Sequence, residues 1–214
     1  MDATRTITTD IDVRLALSQP ARVWSRTEVL ERPCPTPAVA GIYAWYFNEV
    51  PADVTTEGAH QWLGLTRLYV GISPGRPARE DGRARRQTLR HRIRYHYRGN
   101  AEGSTLRLTL GCLLADVLGI QLRRVGSGTR LTFAGGERLL SDWMDQHAYV
   151  TWAPHPRPWE PEKDLIGEWV LPLNLDHNMH GAFARPLSAI RAQARAVARS
   201  LPVVAADWTP DSGN

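Results

Sequence analysis

The chain has 214 residues, 43% of them hydrophobic and 22% charged, with a formal net charge of +4. That length carries one well-packed domain with decorations and is marginal for two, and the composition is that of an ordinary globular fold. No stretch approaches the roughly 18 to 20 apolar residues of a membrane span, so no membrane partner is expected. Cys34 and Cys112 are too few for a disulfide framework or a cysteine metal cluster and read as reduced thiols.

In chain order, residues 1–38 read as an N-terminal extension. Its opening Met1-Asp2-Ala3-Thr4-Arg5 lacks a basic region followed by an apolar run, so no secretory leader is expected and the chain reads as cytoplasmic. Residues 13–17 form a short strand or a turn of helix, and 23–30 a short helix before Pro33-Cys34-Pro35-Thr36-Pro37. Residues 39–47 are apolar, β-branched and aromatic, the mark of a buried strand. A loop follows over 48–66, a second strand over 68–72, and a loop rich in proline and glycine over 73–82. Residues 87–98 have helical periodicity. From Arg76 to Arg98 there are nine arginines against Glu80 and Asp81, a local excess of seven positive charges. Guanidinium groups suit phosphate because they can donate two parallel hydrogen bonds to it, so Arg83, Arg85, Arg86, Arg90 and Arg94 are candidate nucleic-acid contacts. Lys163 is the only lysine, however, so the arginine run also fits a simple compositional preference.

Further on, 106–118 reads as an apolar helix, and 121–125 and 129–133 flank the Gly126-Ser127-Gly128 turn as a hairpin. A helix over 137–147, a strand over 148–152, a proline-rich connection, and a helix over 161–170 stopped by Pro172 come next. Residues 187–201 form a final amphipathic helix, with a loose tail from Asp207. Strands and helices mixed without regular alternation predict an α/β or α+β domain around a small sheet.

Within the first of these helices, Leu89, Ile93 and Tyr97 form the buried stripe, which places Arg92 and His96 side by side on one flank of it. In the 161–170 helix, Glu162 precedes Leu165 by three and Ile166 by four, so its carboxylate lies toward the buried side. An acid in a first helical turn also has the ordinary explanation of the helix dipole. Asn174, in Pro172-Leu173-Asn174, is a site candidate or a turn residue. Asp176-His177-Asn178-Met179-His180 could suggest a metal site but reads more simply as a polar loop, His147 and His155 have no partner pattern, and Trp143, Trp152, Trp159 and Trp169 read as packing residues, one of which could stack on a base.

As a set, Gly41-Ile42-Tyr43, Tyr69-Val70-Gly71, the Leu89-Arg90-His91-Arg92 helix with His96, Glu162 before Leu165-Ile166, and the segment ending at Asn174 resemble the GIY-YIG nuclease family. The pairing of Arg92 with His96 looks more like its restriction-endonuclease branch than its excision-repair branch. Val70 replaces the usual isoleucine, no lysine lies near the second motif, and Arg90 or Arg94 could take the place assigned to Arg92. The resemblance implies a small central antiparallel sheet flanked by helices over 39–180, with an insert over about 99–160 and a C-terminal helix and tail over 181–214.

It further implies an endonuclease that hydrolyses DNA, double-stranded by expectation, with one divalent cation, Mg²⁺ or another such as Mn²⁺, held by Glu162. Arg92 would bind the non-bridging phosphate oxygens, and Tyr43 would accept a proton or position water, activated or oriented by His96. Tyr69 would complete the hydrogen-bond network, and Asn174 would orient Glu162 or its bound waters. The competing reading is a catalytically silent nucleic-acid-binding or interaction module on the same fold. One such site cuts one strand at a time, so a double-strand break would need a homodimer or two encounters.

Overall fold

The computed structural model describes residues 13–76, 87–178 and 180–209. Its centre is a four-stranded antiparallel sheet in the order β2-β3-β1-β6, formed by β1 (Gly41–Phe47), β2 (Gln61–Trp62), β3 (Leu65–Ser73) and β6 (Ala148–Pro154). A separate hairpin pairs β4 (Arg123–Val125) with β5 (Arg130–Thr132), and Gly126 and Gly128 supply the positive φ angles of its turn. The helices are α1 (13–18), α2 (Arg26–Leu30), α3 (Leu89–Arg98), α4 (Thr105–Leu113), α5 (Ala115–Leu118), α6 (Gly136–His147), α7 (Trp159–Glu168) and α8 (Ala184–Ser200).

All seven residues of β1 are buried because helices cover both faces of the sheet. Strand alternation sends Tyr43, Trp45 and Phe47 into a core shared with Leu89, Ile93 and Tyr97 of α3 and with α4, α6 and α8. Ile42, Ala44 and Tyr46 face the other way, onto Val13 and Leu17 of α1 and Leu165 and Ile166 of α7. The stretch read as an insert therefore contributes an integral strand, β6, beside β1.

Both sheet edges are covered. Trp24 pairs with Val150 of β6 through hydrogen bonds in both directions, 2.8 and 2.9 Å. On the β3 side, beyond short β2, Leu173 N–H donates to Leu68 O at 3.0 Å and the Asn174 carboxamide bonds both polar groups of Val70.

Three expectations need correction. The apolar helix over 106–118 is two helices, broken at Leu114 (φ −100°, ψ 8°) and closed by left-handed Gly119. The helix carrying Glu162 starts at Trp159, so Pro161 lies inside its first turn, where a missing N–H costs no intrahelical bond. The tail is tied down at Trp208, whose carbonyl accepts from Gly135 N at 2.7 Å and whose ring lies 4.1 Å from the Arg123 guanidinium carbon.

Candidate active site

Two glycines set the geometry of the tyrosine strands. Tyr43 on β1 sits opposite Gly71 on β3, and a Cβ at Gly71 would lie 2.6 Å from the Tyr43 hydroxyl. The second motif is thus built around the ring of the first. A Cβ at Gly41 would meet Ala153 O at 2.4 Å and Leu89 Cδ1 at 2.6 Å, so that glycine lets α3 sit directly on the sheet. Thr88 caps α3, and Leu89, Ile93, His96 and Tyr97 make its buried face.

This docking aims the flank of α3 at β1. His96 is fully buried, with Nε2 2.8 Å from Tyr43 Oη and Nδ1 2.7 Å from Ser104 Oγ. Burial, reinforced by the charges of Arg92 and Arg107, holds its pKa well below the ordinary histidine range, so the imidazole is neutral. Arg92 donates from Nη1 to Gly103 O at 2.7 Å, and its guanidinium also reaches the Tyr43 hydroxyl. Burial raises the pKa of both phenols; the Arg92 charge opposes the rise, and the Glu162 carboxylate adds to it.

Arg107, which the sequence reading did not single out, holds this arrangement from behind. It is fully buried, bonds Glu137 through Nε (2.9 Å) and Nη2 (2.7 Å), and donates from Nη1 to His96 O at 3.2 Å. A cation on the last carbonyls of α3 fixes the end of the helix that carries His96.

The opposite wall comes from α7. Arg67 of β3, 3% exposed, lies 3.4 Å from the Trp169 ring centroid, and Leu165 and Ile166 pack on the sheet, which presents Glu162 to a polar cleft. The cleft has a volume of about 220 Å³ and is bordered by Tyr69, Glu162, Asn174, Asp176, Arg191 and Arg195, among others. Desolvation first, and the Asp176 charge second, raise the Glu162 pKa to about 7. Neither carboxylate has a hydrogen bond or ion pair among the described residues. Tyr69 borders the cleft directly, whereas Tyr43 is only 1% exposed.

Five of the candidates therefore converge: Tyr43 and His96 share a hydrogen bond, the Arg92 charge acts on both, and the Glu162 charge acts on Tyr43 and Tyr69. Asn174 is present but differently engaged. Its Oδ1 accepts from Val70 N at 2.9 Å and its Nδ2 donates to Val70 O at 2.8 Å, so the carboxamide secures the strand next to Tyr69 instead of bonding Glu162. Arg90 donates from Nε to Thr36 O at 2.7 Å, and Arg94 from Nη1 to Val29 O at 3.1 Å; Arg94 is partly buried instead of projecting to solvent. Arg83, Arg85 and Arg86 lie outside the described residues.

Sequence reasoning missed Ser104, Arg107, Arg191 and Arg195, and set Asp176 aside as part of a polar loop. For Arg191 a signal existed: it falls on the buried stripe of α8 with Ala184, Leu187 and Ala198, where an arginine is out of place.

Paired tyrosines on adjacent antiparallel strands, an arginine–histidine helix on one face and a helix-borne glutamate from the other are the layout of a GIY-YIG catalytic domain. The model of that domain matches residues 41–193, and the chain belongs to the GIY-YIG family, a family of nucleases. No curated protein and no solved structure matches the chain. No helix among the described residues is long and apolar enough to cross a membrane.

Proposed function

We propose that the chain is a metal-dependent endonuclease that hydrolyses phosphodiester bonds in double-stranded DNA. One observation carries the reading: the unpaired Glu162 carboxylate and the Tyr43–His96–Arg92 group act on the same two phenols beside a single polar cleft.

Such hydrolysis needs an acceptor for the proton of the attacking water, positive charge at the phosphate, and help for the leaving oxygen. The hydrogen bonds around Tyr43 are satisfied in one consistent direction. The Arg92 charge favours the phenolate, the phenol donates to Nε2 of neutral His96, and Nδ1–H of His96 donates to Ser104 Oγ. A base thus stands 2.8 Å from the Tyr43 hydroxyl oxygen, and charge left on that oxygen is met by the nearby guanidinium charge of Arg92. This supports Tyr43 as the proton-accepting group, with His96 activating it. Tyr69, on the cleft wall, bonds water or phosphate, and Arg92 steadies the phosphate oxygens as charge builds.

The donor set fits a hard divalent cation such as Mg²⁺ or Mn²⁺. Glu162 and Asp176 offer only oxygen atoms and make no ion pair, and among the described residues no cluster of three or more histidines, cysteines or acids competes. Glu162 would hold the ion with Asp176 beside it, supplying charge neutralisation at the scissile phosphate and leaving oxygen. The Arg92–His96 pairing supports a restriction-like role in the cytoplasm, and two copies acting together would give a double-strand break.

Incubation with supercoiled plasmid, with and without Mg²⁺ or Mn²⁺, tests the proposal. Cation-dependent nicking is expected, with a loss of about 10²–10³-fold or more in Glu162→Ala and Arg92→Ala. Binding without any nicking would replace it with the silent-module reading.

A further inference from the structure

A buried arginine normally has an acid to pair with, because removing its charge from water costs several kcal/mol that a partner must offset. Arg107 follows the rule with Glu137. Arg191 does not. It is 8% exposed, its Nε has no hydrogen-bond partner, and the side chain makes no hydrogen bond or ion pair among the described residues. Nor is it alone. Arg195, one turn along α8, borders the same cleft, with Ser188 one turn before and Thr105 of α4 opposite. After burial, the Arg195 charge is the strongest influence lowering the Arg191 pKa, while the Asp176 charge acts on Arg191 in the opposite sense without forming an ion pair with it, which marks two cations facing one space.

We propose that Arg191 and Arg195, with the Ser188 and Thr105 hydroxyls, form a second anion subsite of the cleft that binds a backbone phosphate next to the scissile one. The class of ligand follows from the chemistry. Two adjacent guanidinium groups and two hydroxyls suit a tetrahedral oxyanion, whereas the Glu162 and Asp176 carboxylates on the same lining suit a cation. This inference rests on the nuclease reading for the identity of the anion, but the subsite can be tested without it. Arg195 lies beyond the matched region 41–193, so this end of the cleft extends past the family's own pattern.

The first arm uses inorganic phosphate alone. At equal ionic strength, phosphate in place of chloride is expected to raise the Tm of the full chain, and Arg191→Gln and Arg195→Gln are each expected to reduce that rise, with Arg191→Lys retaining most of it. A rise unchanged in both glutamine variants, or none in the intact chain, overturns the subsite. The second arm uses a 20-base-pair duplex in EDTA, which permits binding without cleavage. Arg191→Gln should weaken binding about tenfold and lower the slope of log K against log salt by about 0.9, the signature of one lost phosphate contact.

A merely structural arginine would leave that slope unchanged, and an unchanged slope in a folded Arg191→Gln overturns the proposal. If phosphate stabilises the chain through Arg191 but plasmid is never cut, the nuclease reading falls and the subsite stands. If plasmid is cut and neither arm depends on Arg191, the subsite falls and the nuclease reading stands.

Discussion

The two walls of the cleft are built on opposite principles. On the β1–α3 side the polar groups around the site are paired: Tyr43 with His96, His96 with Ser104, Arg107 with Glu137 and with the end of α3. On the α7–α8 side Glu162, Asp176 and Arg191 have no hydrogen-bond or ion-pair partner among the described residues. The first wall holds its side chains in one geometry before anything binds. The second leaves charges uncompensated, and its natural complements are ions and phosphates from outside. Preorganisation and unmet charge are thus divided between two faces of one space.

Substitutions should move stability in opposite directions on the two walls. The largest effect is expected from Arg107→Ala, which strands the Glu137 carboxylate and the α3 carbonyls. A loss of about 3–5 kcal/mol in denaturant unfolding is expected, and a loss under about 1 kcal/mol would show that the buried pair does not support the wall.

Glu162→Gln should do the reverse in EDTA. With the folded pKa raised from 4.5 to about 7, the native state binds its proton more tightly than the unfolded chain. Stability is therefore undiminished below about pH 4.5, falls as pH rises through 4.5 to 7, and stays reduced above. The variant lacks that fall and should be more stable at pH 8 by on the order of 3 kcal/mol. Equal stability of the two proteins across that range would remove the claim of unmet charge.

Asn174→Asp replaces the side-chain amide that donates to Val70 O and adds a charge near two carboxylates. A loss of about 1–3 kcal/mol is expected, greater at pH 8 than at pH 4, measured by thermal unfolding at each pH. The smallest effect belongs to Ser104→Ala, which removes a helix cap and the support of His96 Nδ1. It should cost about 1 kcal/mol, with a fall in nicking rate larger than stability alone explains.

What the sequence made legible follows the same division. The tyrosine strands, α3 and the buried flank of Arg92 and His96 could be read because strand and helix periods dictate them locally. Glu162 could be read as inward-facing for the same reason, although its helix starts two residues earlier than expected. The partners of these groups could not be read, since Ser104 and Arg107 come from α4, Asp176 from a loop and Arg191 from α8, and only tertiary packing brings them in. Asn174 was visible as a candidate, but its engagement with Val70 depends on a contact 104 positions away.

The covered edges of the sheet also bear on how copies of the chain could meet. A strand edge with open N–H and C=O groups invites another strand to add to it. Here Trp24 occupies the outer side of β6 at Val150, while β2, Leu173 and the Asn174 carboxamide occupy that of β3. An intermolecular β-sheet running through two protomers is thereby obstructed on each flank, and self-assembly is left to helical and loop surfaces.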